Sequence, residues 1–369
     1  MPTQKLNDRS RLEAGCFSPG DSAERVSPAD WNDWRWQLAN RVTDPEALIP
    51  AGSDPFDFRA TARVYPMRVT PYYASLVKEW RLTDPVCRQI IPSSEELAET
   101  SLPEDGLGEA SDSPLPGVIH RYPDRVLVLV TGDCAVFCRH CFRKRLWRRG
   151  NTYPAPSLAD TRAYITARPA VKEVILSGGD ALLLDETSLL GWLEMLGALP
   201  QLSAVRVASR LPAVLPQRVT KSLCDAMAAR APVWMMTQFN HPVEVTAEAA
   251  QACANLVTSG IPVLNQTVLL KGVNDRADML ARLFQGLVAM RVKPHYLFHG
   301  DPVAGTGHFR TGIARGLSLM KALRGKLSSL AMPSFAIDLP DGGGKVVLTP
   351  DHARGDGFET MDGRVVHYR

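Results

Sequence analysis

No stretch of this 369-residue chain reaches the ~18 uninterrupted apolar residues that a membrane span needs. The richest candidate, Ala181 to Pro200, is interrupted by Asp185 and Glu186. The first ten residues, Met-Pro-Thr-Gln-Lys-Leu-Asn-Asp-Arg-Ser, lack the apolar core of a secretory signal, so the expectation is a cytoplasmic protein with no membrane partner. Charge of one sign is missing too. The 42 basic and 39 acidic residues leave a net +3, which selects no polyanionic partner, and no nucleic acid is expected. Cysteine is scarce and odd in number, seven in all, which fits a reducing compartment better than a disulfide framework. No repeat of solenoid period is visible. With 45% apolar residues, the chain can still bury a large core.

Three of the seven cysteines fall in one place. Thr131-Gly-Asp-Cys-Ala-Val-Phe-Cys-Arg-His-Cys-Phe-Arg-Lys-Arg145 puts Cys134, Cys138 and Cys141 within eight residues, directly after the apolar run Val126 to Val130. Thiolates are soft ligands suited to iron–sulfur clusters and zinc, and three on one loop can hold three corners of a metal site. The fourth corner has no local cysteine. Zinc sites usually come as two separated pairs, and redox motifs need only two thiols. Cys16, Cys87, Cys224 and Cys253 are scattered and read as buried or incidental thiols. The basic run Arg143, Lys144, Arg145, Arg148 and Arg149 reads as a solvated face.

The chain divides by composition. Residues 1–26 are polar and expected to be mobile. Residues 27–105 read as a small helical region interrupted by prolines; it opens on a helix at Trp31-Asn-Asp-Trp-Arg-Trp36 with Ser27 or Asp30 as N-cap. Residues 106–116, rich in Gly, Asp, Ser and Pro, read as a connector. From Gly117 the pattern alternates. Strands are expected at 125–130, 173–176, 204–208, 233–237, 262–267 and 295–298, with helices at 158–168, 187–199, 217–229, 247–259 and 277–290. Such alternation means parallel strands with crossover helices, either a barrel or a doubly wound sheet.

In parallel architectures ligands gather at the C-terminal strand ends. Those ends carry the Cys loop, Ser177-Gly-Gly-Asp180, Ser209-Arg210, Gln238-Phe-Asn-His241, Gln266 and His299-Gly-Asp301. Polar, small and metal-binding residues therefore collect on one rim. A second unusual stretch, Asp338-Leu-Pro-Asp-Gly-Gly-Gly-Lys345, joins a glycine-rich loop that permits close ligand approach to a lysine that offers a nucleophilic amine.

The Cys-x3-Cys-x2-Cys loop resembles that of radical S-adenosylmethionine enzymes. Trp31 to Trp36, Tyr65-Pro-Met-Arg-Val-Thr-Pro-Tyr-Tyr73, Asp112 to Gly117, His120-Arg-Tyr-Pro-Asp-Arg125, Leu176 to Leu182, Val214 to Arg218, Phe239 to Pro242, Gly272 to Asp275, Gly307 to Thr311 and the loop ending at Lys345 narrow the resemblance to the lysine 2,3-aminomutase family, over about Trp31 to the end. It implies an α/β fold: a partial (β/α)6-type radical SAM barrel over 117–333, with an α-helical N-terminal region and a C-terminal segment, 334–369, bearing the lysine loop. Three cofactors come with it, a [4Fe–4S] cluster, S-adenosylmethionine and pyridoxal phosphate.

The resemblance also assigns residues. Cys134, Cys138 and Cys141 hold three irons, and the open iron takes S-adenosylmethionine. Ser177, Gly178, Gly179, Asp180 and Gln266 bind that cofactor, with Asp180 as acidic acceptor. Lys345 forms the Schiff base with pyridoxal phosphate, which Arg121, Tyr122 and Arg125 contact. Arg143 holds the substrate carboxylate, while Asp301 and Asp338 hold its distal ammonium. The implied reaction moves the α-amino group of L-lysine to the β-carbon. Arginine would also fit two carboxylates, glutamate is disfavoured by like charge, and supply of β-lysine for translation-factor modification is a further alternative. Outside this class stand an RNA-modifying radical enzyme and a non-catalytic iron–sulfur protein. The expected partners are a small amino acid, a flavodoxin- or ferredoxin-like electron donor and further copies of the chain. Departures from the family pattern are Asp341 for a glycine, Gln238 for a histidine, and Arg276 for a zinc-binding cysteine with no Cys after Cys253, so no zinc is expected.

Overall fold

The computed structural model describes residues 26–49, 58–148, 156–339, 343–360 and 363–367. Nine strands form one sheet in chain order: β1 Val118–Tyr122, β2 Arg125–Thr131, β3 Glu173–Gly178, β4 Ala204–Ala208, β5 Val233–Thr237, β6 Val263–Leu269, β7 Lys293–His299, β8 Ser334–Leu339 and β9 Gly344–Leu348. From β2 to β8 every pairing is parallel, and β1 and β9 join the two ends antiparallel. Between successive parallel strands lie α1 Leu158–Thr166, α2 Glu186–Gly197, α3 Lys221–Ala228, α4 Ala247–Thr258, α5 Ala277–Ala289 and α6 Ile313–Arg324. Six strand–helix units thus curl into a nearly closed barrel, with β8 as a seventh parallel strand.

Local chemistry sets the helix starts. Ser157, Asp185, Thr220 and Thr246 each accept a backbone N–H from the first turn that follows, satisfying a donor the helix leaves open. Asp185, one of the charges that interrupted the apolar run, is therefore the cap of α2. Along β6, Val263, Asn265, Thr267 and Leu269 are buried toward the helices, whereas Gln266 and Val268 face the barrel interior. Gln266 sits mid-strand rather than closing it, because β6 continues to Leu269. The core lies between sheet and helices, with Val174, Leu176, Val205, Val207, Leu193, Leu196, Leu223 and Met227 almost fully excluded from water.

The tryptophan-dense segment is two short helices, Pro28–Asn32 capped by Ser27 and Trp34–Ala39 capped by Asp33. Asp30 lies inside the first and caps neither. Residues 217–229 likewise divide, because a 3-10 turn at Pro216–Arg218 precedes the Thr220 cap. Cys87, Cys224 and Cys253 are buried and unpaired, whereas Cys16 and Asp341 lie outside the described residues. Among the described residues no helix is long and apolar enough to cross a membrane.

The basic run is not a solvated face. Lys144 is buried with its Nζ 2.6 Å from Glu96, Arg143 pairs with Glu109, Arg145 reaches both Glu109 and Asp105, and Arg148 pairs with Glu104. Its partners come from a stretch separated by some forty residues, so one sequence window could not reveal them. Arg149 lies outside the described residues.

Candidate functional site

The barrel encloses a cavity of about 740 Å³. Its lining includes every residue to which the family resemblance assigned a role: Cys134, Cys138, Cys141, Ser177, Gly178, Gly179, Asp180, Gln266, Arg121, Tyr122, Arg125, Arg143, Asp301, Asp338 and Lys345. Residues more than two hundred positions apart therefore share one space.

One pole is the Cys loop, which leaves the end of β2. The Gly-Gly-Asp segment after β3 clamps it. Gly179 N–H donates to the Thr131 carbonyl at 2.6 Å, and Asp180 N–H donates to the Asp133 carbonyl at 2.8 Å. A Cβ at Gly179 would lie 2.1 Å from the Asp133 oxygen, so the glycine is required by approach of the loop itself. The Asp180 carboxylate accepts N–H groups of Leu182 at 3.1 Å and Arg210 at 2.8 Å. It stitches the end of β3 to the end of β4, and burial pushes its pKa up to about 6.

Among the described residues no three His, Cys, Asp or Glu side chains converge as one metal ion would require. A four-iron cluster makes a different demand, since each cysteine binds its own iron and the sulfurs must surround open space. Three cysteines on a cavity wall meet it. Burial pushes the Cys134 and Cys141 thiols up, and the Cys138 Sγ accepts from Arg210 Nη1 at 2.7 Å.

The other pole is built across β8 and β9, where Asp338 and Lys345 are direct partners. Lys345 Nζ lies 3.0 and 3.1 Å from the two Asp338 oxygens, and 4.0 Å from the centre of the Phe298 ring on β7. Burial draws the lysine pKa down while Asp338 opposes it. Its backbone N–H donates to Tyr122 Oη at 2.8 Å, and Arg125 covers the Tyr122 ring at 3.7 Å. Asp301, just beyond β7, is pushed up to about 7 by burial and then by the neighbouring Asp338. A half-buried amine beside a carboxylate, with an arginine and a tyrosine nearby, is a donor set suited to pyridoxal phosphate. Arg121 is instead held by Asp112 at 2.6 Å and by the Leu107 carbonyl.

Arg143, two residues after Cys141, is braced on two sides. It donates to Ser177 Oγ at 3.0 Å and to Glu109 at 2.7 to 3.2 Å. Burial alone would raise the Glu109 pKa, but Arg143 and Arg145 overcome it and hold the carboxyl below its ordinary range. Glu109 escaped notice in the sequence because its segment is polar and irregular. Phe298 and Tyr296 were equally hidden, and Arg210, though placed on the rim by its strand end, gave no sign of its contact with Cys138, since strand alternation marks which residues face inward but not what they meet.

A parallel barrel with a three-cysteine loop clamped by a Gly-Gly-Asp segment at its rim defines a radical S-adenosylmethionine enzyme. No protein-family model matches the chain. L-lysine 2,3-aminomutase of Clostridium subterminale is 42% identical over 333 residues, 89% of this chain and 80% of the relative. A putative L-lysine 2,3-aminomutase of Aquifex aeolicus is 40% identical over 361 residues, 94% and 96% of the two chains. Glutamate 2,3-aminomutase of Clostridioides difficile is 34% identical over 347 residues, 91% and 82%. The chain belongs to the lysine 2,3-aminomutase family of radical S-adenosylmethionine enzymes, and it is an isomerase of the aminomutase kind. The family's cofactors are a [4Fe–4S] cluster, S-adenosylmethionine and pyridoxal phosphate.

Proposed function

We propose that this chain is a pyridoxal phosphate-dependent aminomutase that moves the α-amino group of L-lysine to the β-carbon, giving β-lysine. The observation that carries this reading is the pair Asp301 and Asp338, which line the same cavity as Lys345 and the three cysteines. Two carboxylates favour a substrate with a cationic side chain and repel an anionic one. One of the relatives acts on glutamate, so this choice matters.

When bound, the cluster with S-adenosylmethionine would supply a carbon radical able to take hydrogen from an unreactive C–H bond, and pyridoxal phosphate held by Lys345, Tyr122 and Arg125 would supply the means of carrying the migrating nitrogen. The protein's part is positioning. Arg143, braced by Glu109 and Ser177, takes the substrate carboxylate, fixing the amino acid beside the Cys loop. Asp301 and Asp338 take the distal ammonium. Lys345 Nζ must lose a proton before it can act as a nucleophile, and burial against Phe298 and Tyr296 favours that loss.

The test is anaerobic turnover of reconstituted protein with lysine, arginine and glutamate in separate reactions. β-Lysine is the expected product. Conversion of glutamate with lysine inert would overturn the substrate assignment, and conversion of none of them would overturn the aminomutase reading of this chain.

A further inference from the structure

The guanidinium of Arg210, at the end of β4, is buried behind the Cys loop with only 7% of its surface exposed. Its two ends do different things. Nη1 points at Cys138 Sγ, 2.7 Å away. Nη2 is shared among Gln89 Oε1 at 2.7 Å, Tyr73 Oη at 2.9 Å and Glu244 Oε1 at 2.9 Å. Glu244 is itself locked, accepting the Tyr73 hydroxyl at 2.6 Å on one oxygen and the Asn240 and His241 N–H groups on the other. The remaining arginines beside the loop reach elsewhere: Arg41 donates to the Cys134 carbonyl at 3.0 Å, and Arg68 pairs with Asp133.

We propose that Arg210 is a positioning residue that sets the reduction potential of the cluster, donating a charged hydrogen bond to the Cys138 sulfur while Tyr73, Gln89 and Glu244 hold it there. Reduction transfers one electron from an external low-potential donor, such as dithionite in vitro, onto the cluster, with no bond made or broken and no proton moved. It adds negative charge to the iron–sulfur core. Donors aimed at a ligand sulfur stabilise the reduced form more than the oxidised one, and so raise the potential. Glu244 contacts the far end, so the compensating charge leaves the Nη1 hydrogen facing the sulfur. Tyr73 and Gln89 come from the N-terminal helical region, which gives that region a part in the redox chemistry of the barrel. The inference rests on the family's cluster and is independent of the substrate reading.

The experiment is an EPR-monitored redox titration of the cluster-loaded full chain, without substrate. Arg210→Gln removes the charge and is too short to reach the sulfur. A fall of about tenfold in the reduction equilibrium constant is expected, ~59 mV toward lower potential for a one-electron couple. Arg210→Lys keeps the charge and should recover part of the shift. Because Arg210→Gln strands the buried Glu244 charge, the double variant Arg210→Gln with Glu244→Gln supplies a neutral pocket and should show the same fall. An unchanged potential in the double variant overturns the proposal. So does failure of the double variant to retain the cluster, which would make Arg210 a residue of loop folding.

Discussion

Lys345 is held by Asp338, one of the two carboxylates expected to face the substrate, so cofactor attachment and substrate recognition compete for the same atoms. Covalent engagement of Nζ by pyridoxal phosphate would loosen its ion pair with Asp338 and would leave that carboxylate open to a substrate ammonium. Lys345→Ala should abolish the visible absorbance and the borohydride-trapped adduct that bound pyridoxal phosphate gives; their retention would mean another lysine holds it. Asp301 supplies a pH signature. Its carboxyl, pushed up to about 7, is mostly neutral below that value and charged above it, so affinity for lysine should strengthen as pH rises through about 7. Asp301→Asn should weaken lysine binding, by about tenfold or more at pH 8, and flatten that dependence, as read by calorimetric titration.

At the scale of elements, the segment after β3 carries a sharp prediction. Gly179→Ala would force a Cβ to within 2.1 Å of the Asp133 carbonyl, and backbone rather than a flexible side chain must yield. Iron content after reconstitution should fall severalfold. Gly191, within α2, meets nothing within 4 Å, so Gly191→Ala should leave iron content unchanged and stabilise by about 0.4–1 kcal/mol. The six crossover strands were legible because each is a β-branched or apolar run between turn residues. α6 and β8 were not, since Ile313–Arg324 is rich in polar and small residues and β8 ends in the Asp338 loop motif, which drew a functional rather than a structural reading. β1 and β9 were masked likewise: His120-Arg-Tyr and Gly-Lys345 register as ligand-contact motifs before they register as strands. The site residues were legible through their order along the chain. The contacts that restrain them, Glu109 on Arg143 and Arg210 on Cys138, join segments that no local pattern relates.

Across the whole molecule, buried charge ties the N-terminal region to the barrel and gives stability a two-sided pH dependence. Glu96, with its side chain 1% exposed, accepts from both Arg139 and Lys144, and those cations overcome burial to hold its carboxyl below the ordinary 4.5. Glu109 is held low in the same way by Arg143 and Arg145. A lowered folded-state pKa contributes stability at neutral pH that is lost as pH falls below about 4.5, through the folded value. Asp301 works in the opposite sense. With its folded value near 7 against an ordinary 3.8, it costs stability increasingly as pH rises across that interval, and that cost is relieved as pH falls. Half-buried His295 and His308, drawn down to about 4 and about 3 against an ordinary 6.5, oppose Asp301 as pH falls below 6.5. The cost of Asp301 is therefore read as the difference in thermal midpoint between Asp301→Asn and the wild type, while the wild-type midpoint without cofactors should drop steeply below about 4.5. Glu96→Gln leaves Arg139 and Lys144 buried without a counter-charge and should cost about 3–5 kcal/mol at neutral pH while flattening the acid limb. Asp301→Asn should raise the midpoint above the wild type's at pH 8, and that excess should shrink as pH falls to 5. A difference between variant and wild type that stays constant from pH 8 to 5 would show that Asp301 does not carry its charge at a cost to the fold.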